Sequence, residues 1–375
     1  MHIVFTIADK GSVPYFQWFA EKAAKERQHK FTFVALSKHK TPMLEYTMDL
    51  GFDAYLIPFD DLKRKRSMIY AFFRLYKLFK NIKPDVVHTH LFDDSVPALL
   101  AAKCAGVNIR AIVKDDVGFH YFYARKWVWF DRFNNFNATH IVPPTNEAKQ
   151  FVIDKEKADV TKITMIHHGI PSKIFTKSNE EDRKFLIEKY GLSNKIVLGT
   201  VARLIDWKGH KYIIKAAKGI VEKYPNAIFM FVGEGNQKEE LMQLVKKNNV
   251  GNNVIFTGRI ERKLIPAFYS ILDVYVHAAY YEPFGFVIAE AMMSGVPVVS
   301  TPTGAALDAI KHKENGYLCK YKDADSLAEG IMDTLKNGKH FGEKGKQTAL
   351  QMYEFDVMYN NYIKLYEKSV YFSEN

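Results

Sequence analysis

The chain has 375 residues, of which 47% are hydrophobic and 25% charged, and it carries a formal net charge of +11. This composition excludes an intrinsically disordered chain, and the length suits two domains better than one compact core. No apolar run is long enough to predict a membrane-spanning helix. Two cysteines make no disulfide framework, which favours a reducing, cytoplasmic compartment.

Short apolar runs alternate with segments of helical periodicity along the first part of the chain. Strands are predicted at residues 3–8, 31–36, 54–57, 86–90, 111–113 and 140–142. Helices are predicted between them at 15–25, 67–81 and 96–105. Strands that are hydrophobic throughout and separated by helices predict a buried parallel sheet.

A second alternating series begins near Lys195. Strands are predicted at residues 196–201, 227–232, 254–257, 274–277 and 296–300, and helices at 211–223, 237–248 and 343–371. The two series predict two doubly wound α/β domains, at 1–170 and 183–354, joined by the polar linker 171–182. Ligands of such domains bind beyond the carboxyl ends of the strands.

The most informative segment, 281–299, reads as a loop, a helix and a buried strand. Glu282 follows the strand predicted at 274–277, and Gly285 allows a close backbone approach where the helix starts. The free N–H groups of that start favour a phosphate. Glu290, inside the helix, can accept hydrogen bonds from a ribose diol, and Glu282 from sugar hydroxyls. The alternative is that both are only exposed acids near a helix start.

Two cations follow the strand predicted at 196–201. Arg203 offers a bidentate fork and Lys208 a point charge, so both suit an anion at the strand end. The alternative is a pair of solvated surface cations. Gly258 and Arg259 follow the next strand but one, where backbone groups can contact a base.

Taken in this order, the motifs resemble those of the retaining GT-B glycosyltransferases of family 4. Glu282 and Glu290 match the Glu-x7-Glu pattern of that family, and Arg203 and Lys208 match its diphosphate-binding pair. The resemblance implies two Rossmann-like domains facing across a cleft, with the acceptor on the first and the nucleotide sugar on the second. It also implies that residues 355–375 cross back onto the first domain, and that no cofactor or metal is needed.

The resemblance further implies roles for individual residues. Glu282, Arg203 and Lys208 are expected to be catalytic. The expected donor-binding residues are Gly11, Gly258, Arg259, Gly285, Phe286, Val287 and Glu290.

The first half departs from the family pattern in two places. Gly11 stands alone where the family usually has two glycines, and Lys114-Asp115-Asp116 stands where it often has a histidine. Asp115, Asp116 or His120 is therefore expected to hold sugar or acceptor hydroxyls, the alternative being solvated loop acids.

Basic residues are concentrated in the segment that begins at Leu62 and ends at Lys83, which contains no acid. Its apolar side chains Met68, Ile69, Phe72, Phe73, Tyr76 and Phe79 are predicted to share one helical face. A basic amphipathic helix with aromatics is typical of binding to an anionic membrane surface. The alternative is a helix packed on the sheet with a solvated basic side. No recognised motif indicates a nucleic-acid partner.

The sequence therefore predicts a hexosyltransferase that uses a nucleoside diphosphate sugar, of UDP type rather than GDP type. Its acceptor is expected to be a hydroxyl of a glycan or lipid-linked substrate at the inner face of the membrane. Two alternatives stay open: a GT-B sugar-nucleotide epimerase, and a non-catalytic two-lobed sugar-binding protein.

Overall fold

The computed structural model describes residues 1–8, 14–115, 118, 120–121 and 124–374. The chain forms two compact units, Met1–His167 together with Met358–Asn375, and His168–Val357. The change from one unit to the other therefore falls between His167 and His168, ahead of the segment 171–182 in which we expected the linker.

A six-stranded parallel sheet forms the centre of the first unit. Its strands are β1 His2–Ile7, β2 Lys30–Ser37, β3 Asp53–Pro58, β4 Val86–Thr89, β5 Ile109–Val113 and β6 His140–Val142. They are ordered β3-β2-β1-β4-β5-β6. Phe5 on β1 lies opposite Phe33 on β2 and His88 on β4, so that aromatic rings fill the middle of the sheet.

Helices connect these strands. They are α1 Pro14–Glu26, α2 Pro42–Asp49, α3 Arg64–Ile82, α4 Phe92–Ala105, α5 Val128–Asn137 and α6 Asn146–Asp154. Helix α3 packs along α4 and contributes Ala71 and Leu75 to the core.

The apolar side chains of α3 do not share one face, and that prediction was wrong. Met68 and Phe79 are buried in the core, whereas Ile69 and Phe73 are 62% and 63% exposed. Successive residues of a helix are rotated by about 100°, so Ile69 and Phe73 point away from the face that carries Met68. The helix therefore has a packed face and, next to it, an exposed apolar strip.

The second unit contains another six-stranded parallel sheet. Its strands are β7 Ile196–Val201, β8 Ala227–Val232, β9 Val254–Gly258, β10 Val274–His277, β11 Val298–Ser300 and β12 Tyr317–Leu318. They are ordered β12-β11-β10-β7-β8-β9. Its helices are α7 Lys173–Thr176, α8 Glu180–Tyr190, α9 His210–Lys223, α10 Lys238–Lys247, α11 Ile265–Ser270, α12 Phe286–Met293, α13 Gly304–Ala309 and α14 Ala324–Tyr353.

The C-terminal helical segment is interrupted at Glu354, where we expected one helix over 343–371. Glu354 has extended φ and ψ of −65° and 136°, between α14 and the last helix, α15 Phe355–Glu374. Backbone hydrogen bonds hold the break, because Ile170 N donates to Tyr353 O at 2.8 Å and Phe355 N donates to Ile170 O at 3.1 Å. From Met358 onward α15 belongs to the first unit, where Tyr366 Oη lies 2.5 Å from His88 Nδ1.

The two parallel sheets confirm the prediction of two doubly wound α/β domains. The predicted linker contains α7 and the beginning of α8. No helix within the described ranges combines the length and the apolar character needed to cross a bilayer.

Candidate functional site

The loops that follow β7 and β10 meet at the carboxyl edge of the second sheet. Lys208 Nζ forms an ion pair there with Glu282 Oε2, and the two side chains are 13% and 11% exposed. Tyr280 N donates to Trp207 O at 3.0 Å and ties the two loops together. Gly209 has a φ of +72°, and a Cβ at this position would lie 2.0 Å from Ala278 O. Glycine at position 209 is therefore what lets Lys208 come so close to Glu282.

His277 lies beneath this ion pair. It is the last residue of β10, it is fully buried, and its Nε2 lies 3.5 Å from Glu282 Oε2. Burial alone would raise the pKa of Glu282, but the nearby His277 ring and the positive charge of Lys208 lower it to about 2. Burial also lowers the pKa of His277 itself. Glu282 is therefore an ionised carboxylate next to a neutral imidazole.

The second predicted carboxylate lies on α12, which begins directly after Gly285. Gly285 has a φ of +86°, and a Cβ there would lie 2.9 Å from Glu282 Cγ. Glu290 is the fifth residue of the helix, and its carboxylate accepts a hydrogen bond of 2.9 Å from Tyr269 Oη. Burial raises the pKa of Glu290, and the hydrogen bond from Tyr269 opposes this rise. The two acids thus flank one helix start in different electrostatic environments.

The other residues predicted for the donor site divide into two groups. Phe286 and Val287 form the first turn of α12, next to Glu282. Arg203 and Arg259 lie instead on the surface of other loops. The Arg203 guanidinium lies 6.0 Å from the centroid of the Trp207 ring, and Arg259 Nε lies 3.2 Å from the exposed Glu234 Oε2.

Another predicted donor contact, Gly258, ends β9 at the same edge of the sheet. It has a φ of +70°, and its carbonyl accepts a hydrogen bond of 2.9 Å from Gly233 N. The loops after β8 and β9 are thereby joined to each other through their backbones.

Sequence reasoning missed three residues of this cluster. His277 could have been noticed, since it ends a predicted strand just before Glu282. His210 is buried against Phe231, and burial, with His277 and Lys208 nearby, lowers its pKa to about 3. Nothing in the local sequence connects Tyr269 with Glu290, because their contact depends on how α11 packs against α12.

Two of the residues predicted to hold sugar or acceptor hydroxyls lie at the carboxyl edge of the first sheet. Asp115 Oδ2 lies 3.0 Å from His90 Nδ1, and His120 Nδ1 lies 3.0 Å from Asp131 Oδ2. Both pairs line one cavity together with Lys114 and Glu156, which are paired with each other. Gly11 and Asp116 lie outside the described residues.

Among the described residues, no group of three or more His, Cys, Asp or Glu side chains is arranged so that it could hold a metal ion.

Comparison with protein families covers both units. The family described as Glycosyltransferase Family 4 matches residues 19–173, and the family described as Glycosyl transferases group 1 matches residues 182–348. The chain belongs to the family 4 glycosyltransferases. This glycosyltransferase therefore carries the candidate site in the unit that matches the group 1 description.

Two relatives named for a glycosyltransferase match most of this chain. The UDP-Gal:α-D-GlcNAc-diphosphoundecaprenol α-1,3-galactosyltransferase of Escherichia coli is 28% identical over 321 residues, which are 81% of this chain and 80% of the relative. The capsular polysaccharide biosynthesis glycosyltransferase CapM of Staphylococcus aureus is 27% identical over 262 residues, 66% of this chain and 67% of the relative.

A solved structure shares the fold. HepE of Anabaena, crystallised in complex with UDP, matches with a TM-score of 0.82 at 18% identity, over 98% of this chain and 100% of that one. The likeness confirms the GT-B fold.

Proposed function

We propose that this glycosyltransferase moves a hexose from a UDP-sugar to a hydroxyl of a lipid-linked acceptor, with retention of the anomeric configuration. The observation that carries the proposal is the buried group of Lys208, Glu282 and His277 next to the start of α12. The E. coli relative, named for UDP-Gal and a diphosphoundecaprenol acceptor, and the UDP complex of HepE support the choice of donor and acceptor class.

The diphosphate of the donor is assigned to the start of α12. The N–H groups of Phe286 and Val287 have no partner inside the helix, and the helix dipole adds partial positive charge. The ammonium group of Lys208 has three N–H donors. It can therefore keep its ion pair with Glu282 and also donate a hydrogen bond to a phosphate oxygen. Arg203, exposed at the end of β7, offers a fork for a second phosphate oxygen. These cations stabilise the negative charge that develops on the departing UDP.

The two carboxylates are assigned to the two sugars of the donor. Glu282 is ionised and accepts hydrogen bonds from hydroxyls of the transferred hexose. Glu290 accepts them from the ribose diol, held in place by Tyr269. Gly258 and Arg259, at the end of β9, are the expected contacts of the base.

Retention follows if the acceptor attacks on the face from which UDP leaves. The bond between the anomeric carbon and the phosphate oxygen breaks, and a bond from that carbon to the acceptor oxygen forms. The acceptor proton passes to the departing phosphate. Lys208 and Glu282 then bind and orient the reacting groups, and neither needs to form a covalent intermediate.

The acceptor is assigned to the first unit, where Asp115 and His120 line a polar cavity. Helix α3 supports an encounter with an anionic bilayer, because its exposed strip of Ile69 and Phe73 lies among the basic residues of a helix that contains no acid. Trp129 and Phe136 on α5 are similarly exposed, at 74% and 70%.

The test combines a UDP-hexose panel with a diphosphoprenol-linked N-acetylhexosamine acceptor. Thermal-shift screening selects the donor, and NMR of the purified product gives the anomeric configuration. We expect an α-linked product from an α-linked donor. A β-linked product contradicts retention, a free epimer formed without acceptor indicates an epimerase, and donor binding without turnover on any acceptor indicates a sugar-binding protein.

A further inference from the structure

A basic groove runs along the carboxyl ends of β2 and β3 in the first unit. Two adjoining cavities of about 420 Å³ each form it, and both are lined by Lys38, Phe59 and Asp60. Because β2 ends at Ser37 and β3 at Pro58, the groove lies at the edge where doubly wound sheets bind their ligands. Its volume is within the range of small-molecule sites.

Cations outnumber acids in this groove. Its basic lining residues are Lys38, His39, Lys40, Lys63 and Arg66, and its acidic ones are Asp60 and Asp61. Asp60 is already engaged, since its Oδ1 accepts a hydrogen bond of 3.0 Å from Leu62 N.

Three of the cations lack an acidic partner. Within the part of the chain that the structure describes, Lys38, Lys63 and Arg66 form no ion pair. In contrast, Lys40 lies 3.6 Å from Glu45, and the adjacent Arg64 lies 2.8 Å from Asp93. The charges of the groove are therefore available to an external anion.

The groove continues into an apolar surface. Buried Phe59 lines both of its cavities, exposed Leu62 lines one of them, and exposed Tyr70 lines the other. Beyond Tyr70, the exposed Ile69 and Phe73 extend the apolar surface along α3. A ligand that fits both parts carries concentrated negative charge at one end and hydrocarbon at the other.

We propose that this groove binds the diphosphate of a lipid-linked acceptor, with Lys38, Lys63 and Arg66 on the phosphate oxygens and the hydrocarbon on the exposed strip of α3. The proposal rests on the proposed function, in which the acceptor is lipid-linked. Arginine suits two phosphate oxygens at once, and lysine suits single ones. A concave site of this size fits an individual diphosphate better than the flat array of headgroups on a bilayer.

Binding of decyl diphosphate and of inorganic pyrophosphate tests the proposal, measured by calorimetry with UDP at saturation so that the donor site is filled. The test protein is Lys38→Ala/Arg66→Ala. The matched control is Lys25→Ala/Lys149→Ala, which removes two exposed charges from the same unit away from the groove. We expect the test protein to bind both probes about 100-fold more weakly, about tenfold for each lost contact, and the control to bind like the wild type.

Flotation with phosphatidylglycerol vesicles separates a diphosphate site from contact with lipid headgroups. We expect the test protein to float like the control, because Ile69, Phe73 and the other cations of α3 remain. Equal diphosphate affinity in test and control proteins overturns the proposal. A loss of flotation as large as the loss of diphosphate binding overturns it too, since the groove would then be a headgroup contact. Failure of the proposed function shows separately, as absence of sugar transfer by a wild-type protein that still binds decyl diphosphate.

Discussion

Lys208 and Glu282, 74 residues apart in the sequence, form a buried ion pair where the loops after β7 and β10 meet. His277 lies beneath the pair, and together they hold the pKa of Glu282 at about 2. A buried ion pair is weak evidence for added stability, because removing two charges from water offsets much of their attraction. Its position next to the start of α12 indicates instead a role in binding a ligand that has both an anion and hydroxyls.

Gly209→Ala should separate Lys208 from Glu282. A Cβ at position 209 would lie 2.0 Å from Ala278 O, so the loop that carries Lys208 must move. We expect a loss of transfer activity of about tenfold or more and a lower thermal midpoint, measured by steady-state kinetics and calorimetry. Gly219→Ala is the control. Gly219 lies on helix α9, and a Cβ at this position would meet no atom within 4 Å. The substitution should raise stability by about 0.5–1 kcal/mol and keep full activity.

Tyr269→Phe should weaken donor binding through Glu290. The lost hydrogen bond favoured the ionised carboxylate, so the pKa of Glu290 should rise further in the variant. We expect the KM for the UDP-sugar to increase about tenfold. We also expect the rise of KM at acidic pH to begin at a higher pH than in the wild type.

The matched control for this variant is Tyr275→Phe. It removes another buried hydroxyl, whose hydrogen bond goes to Val201 O at 3.4 Å and not to Glu290. A KM profile against pH that is the same for both variants would contradict the positioning of Glu290 by Tyr269.

His210 should make the second unit sensitive to acid. Burial lowers its pKa from 6.5 to about 3, so below pH 6.5 the unfolded chain takes up a proton that the folded chain does not. Stability is therefore fully present above that pH and falls progressively toward pH 3.

Denaturant midpoints at about pH 7.5 and about pH 5 test this expectation. Wild type should lose more stability between them than His210→Gln, by up to about 2 kcal/mol. The exposed His340→Gln is the control and should behave like the wild type. If His210→Gln shows the same acid dependence as that control, the buried neutral state of His210 is wrong.

The predicted strands agree closely with the observed sheets because buried parallel strands leave a strong local signal. The run 196–201 is apolar or small throughout, it lies between the charged residues Lys195 and Arg203, and it is β7 to the residue. The break at Glu354 has no such signal. It depends on hydrogen bonds with Ile170, more than 180 residues away in the sequence, which no local pattern contains.

The residues of the candidate site also fall into those with a local sequence signal and those without one. Glu282, Glu290 and Lys208 could be proposed from the sequence because each follows a predicted strand or lies within the predicted helix after it. Tyr269 and His277 could not, because they act through contacts between packed elements. The face of α3 was predicted wrongly because its apolar residues occupy two adjacent helical stripes, of which only one packs on the sheet.

The exposed strip of α3 should bind acidic bilayers. Wild type should float with phosphatidylglycerol vesicles at low salt and not with phosphatidylcholine vesicles, and added salt should weaken the binding. Ile69→Ser/Phe73→Ser should reduce flotation several-fold, because the exposed apolar side chains are lost. Phe185→Ser/Met242→Ser removes one exposed aromatic and one exposed aliphatic side chain from the other unit and serves as the control. Flotation with no preference for acidic lipid would rule out this surface as the docking site.

Transfer by Glu282→Gln tests the central assignment most directly. The substitution keeps the shape of the side chain and removes the charge that pairs with Lys208. The control is Glu261→Gln, whose carboxylate forms an exposed ion pair 3.0 Å from Lys263. With a UDP-sugar donor and a lipid-linked acceptor, we expect Glu282→Gln to fall in kcat/KM by about 100-fold or more while circular dichroism shows an unchanged fold. The control should transfer like the wild type, and full activity in a folded Glu282→Gln protein would contradict the account.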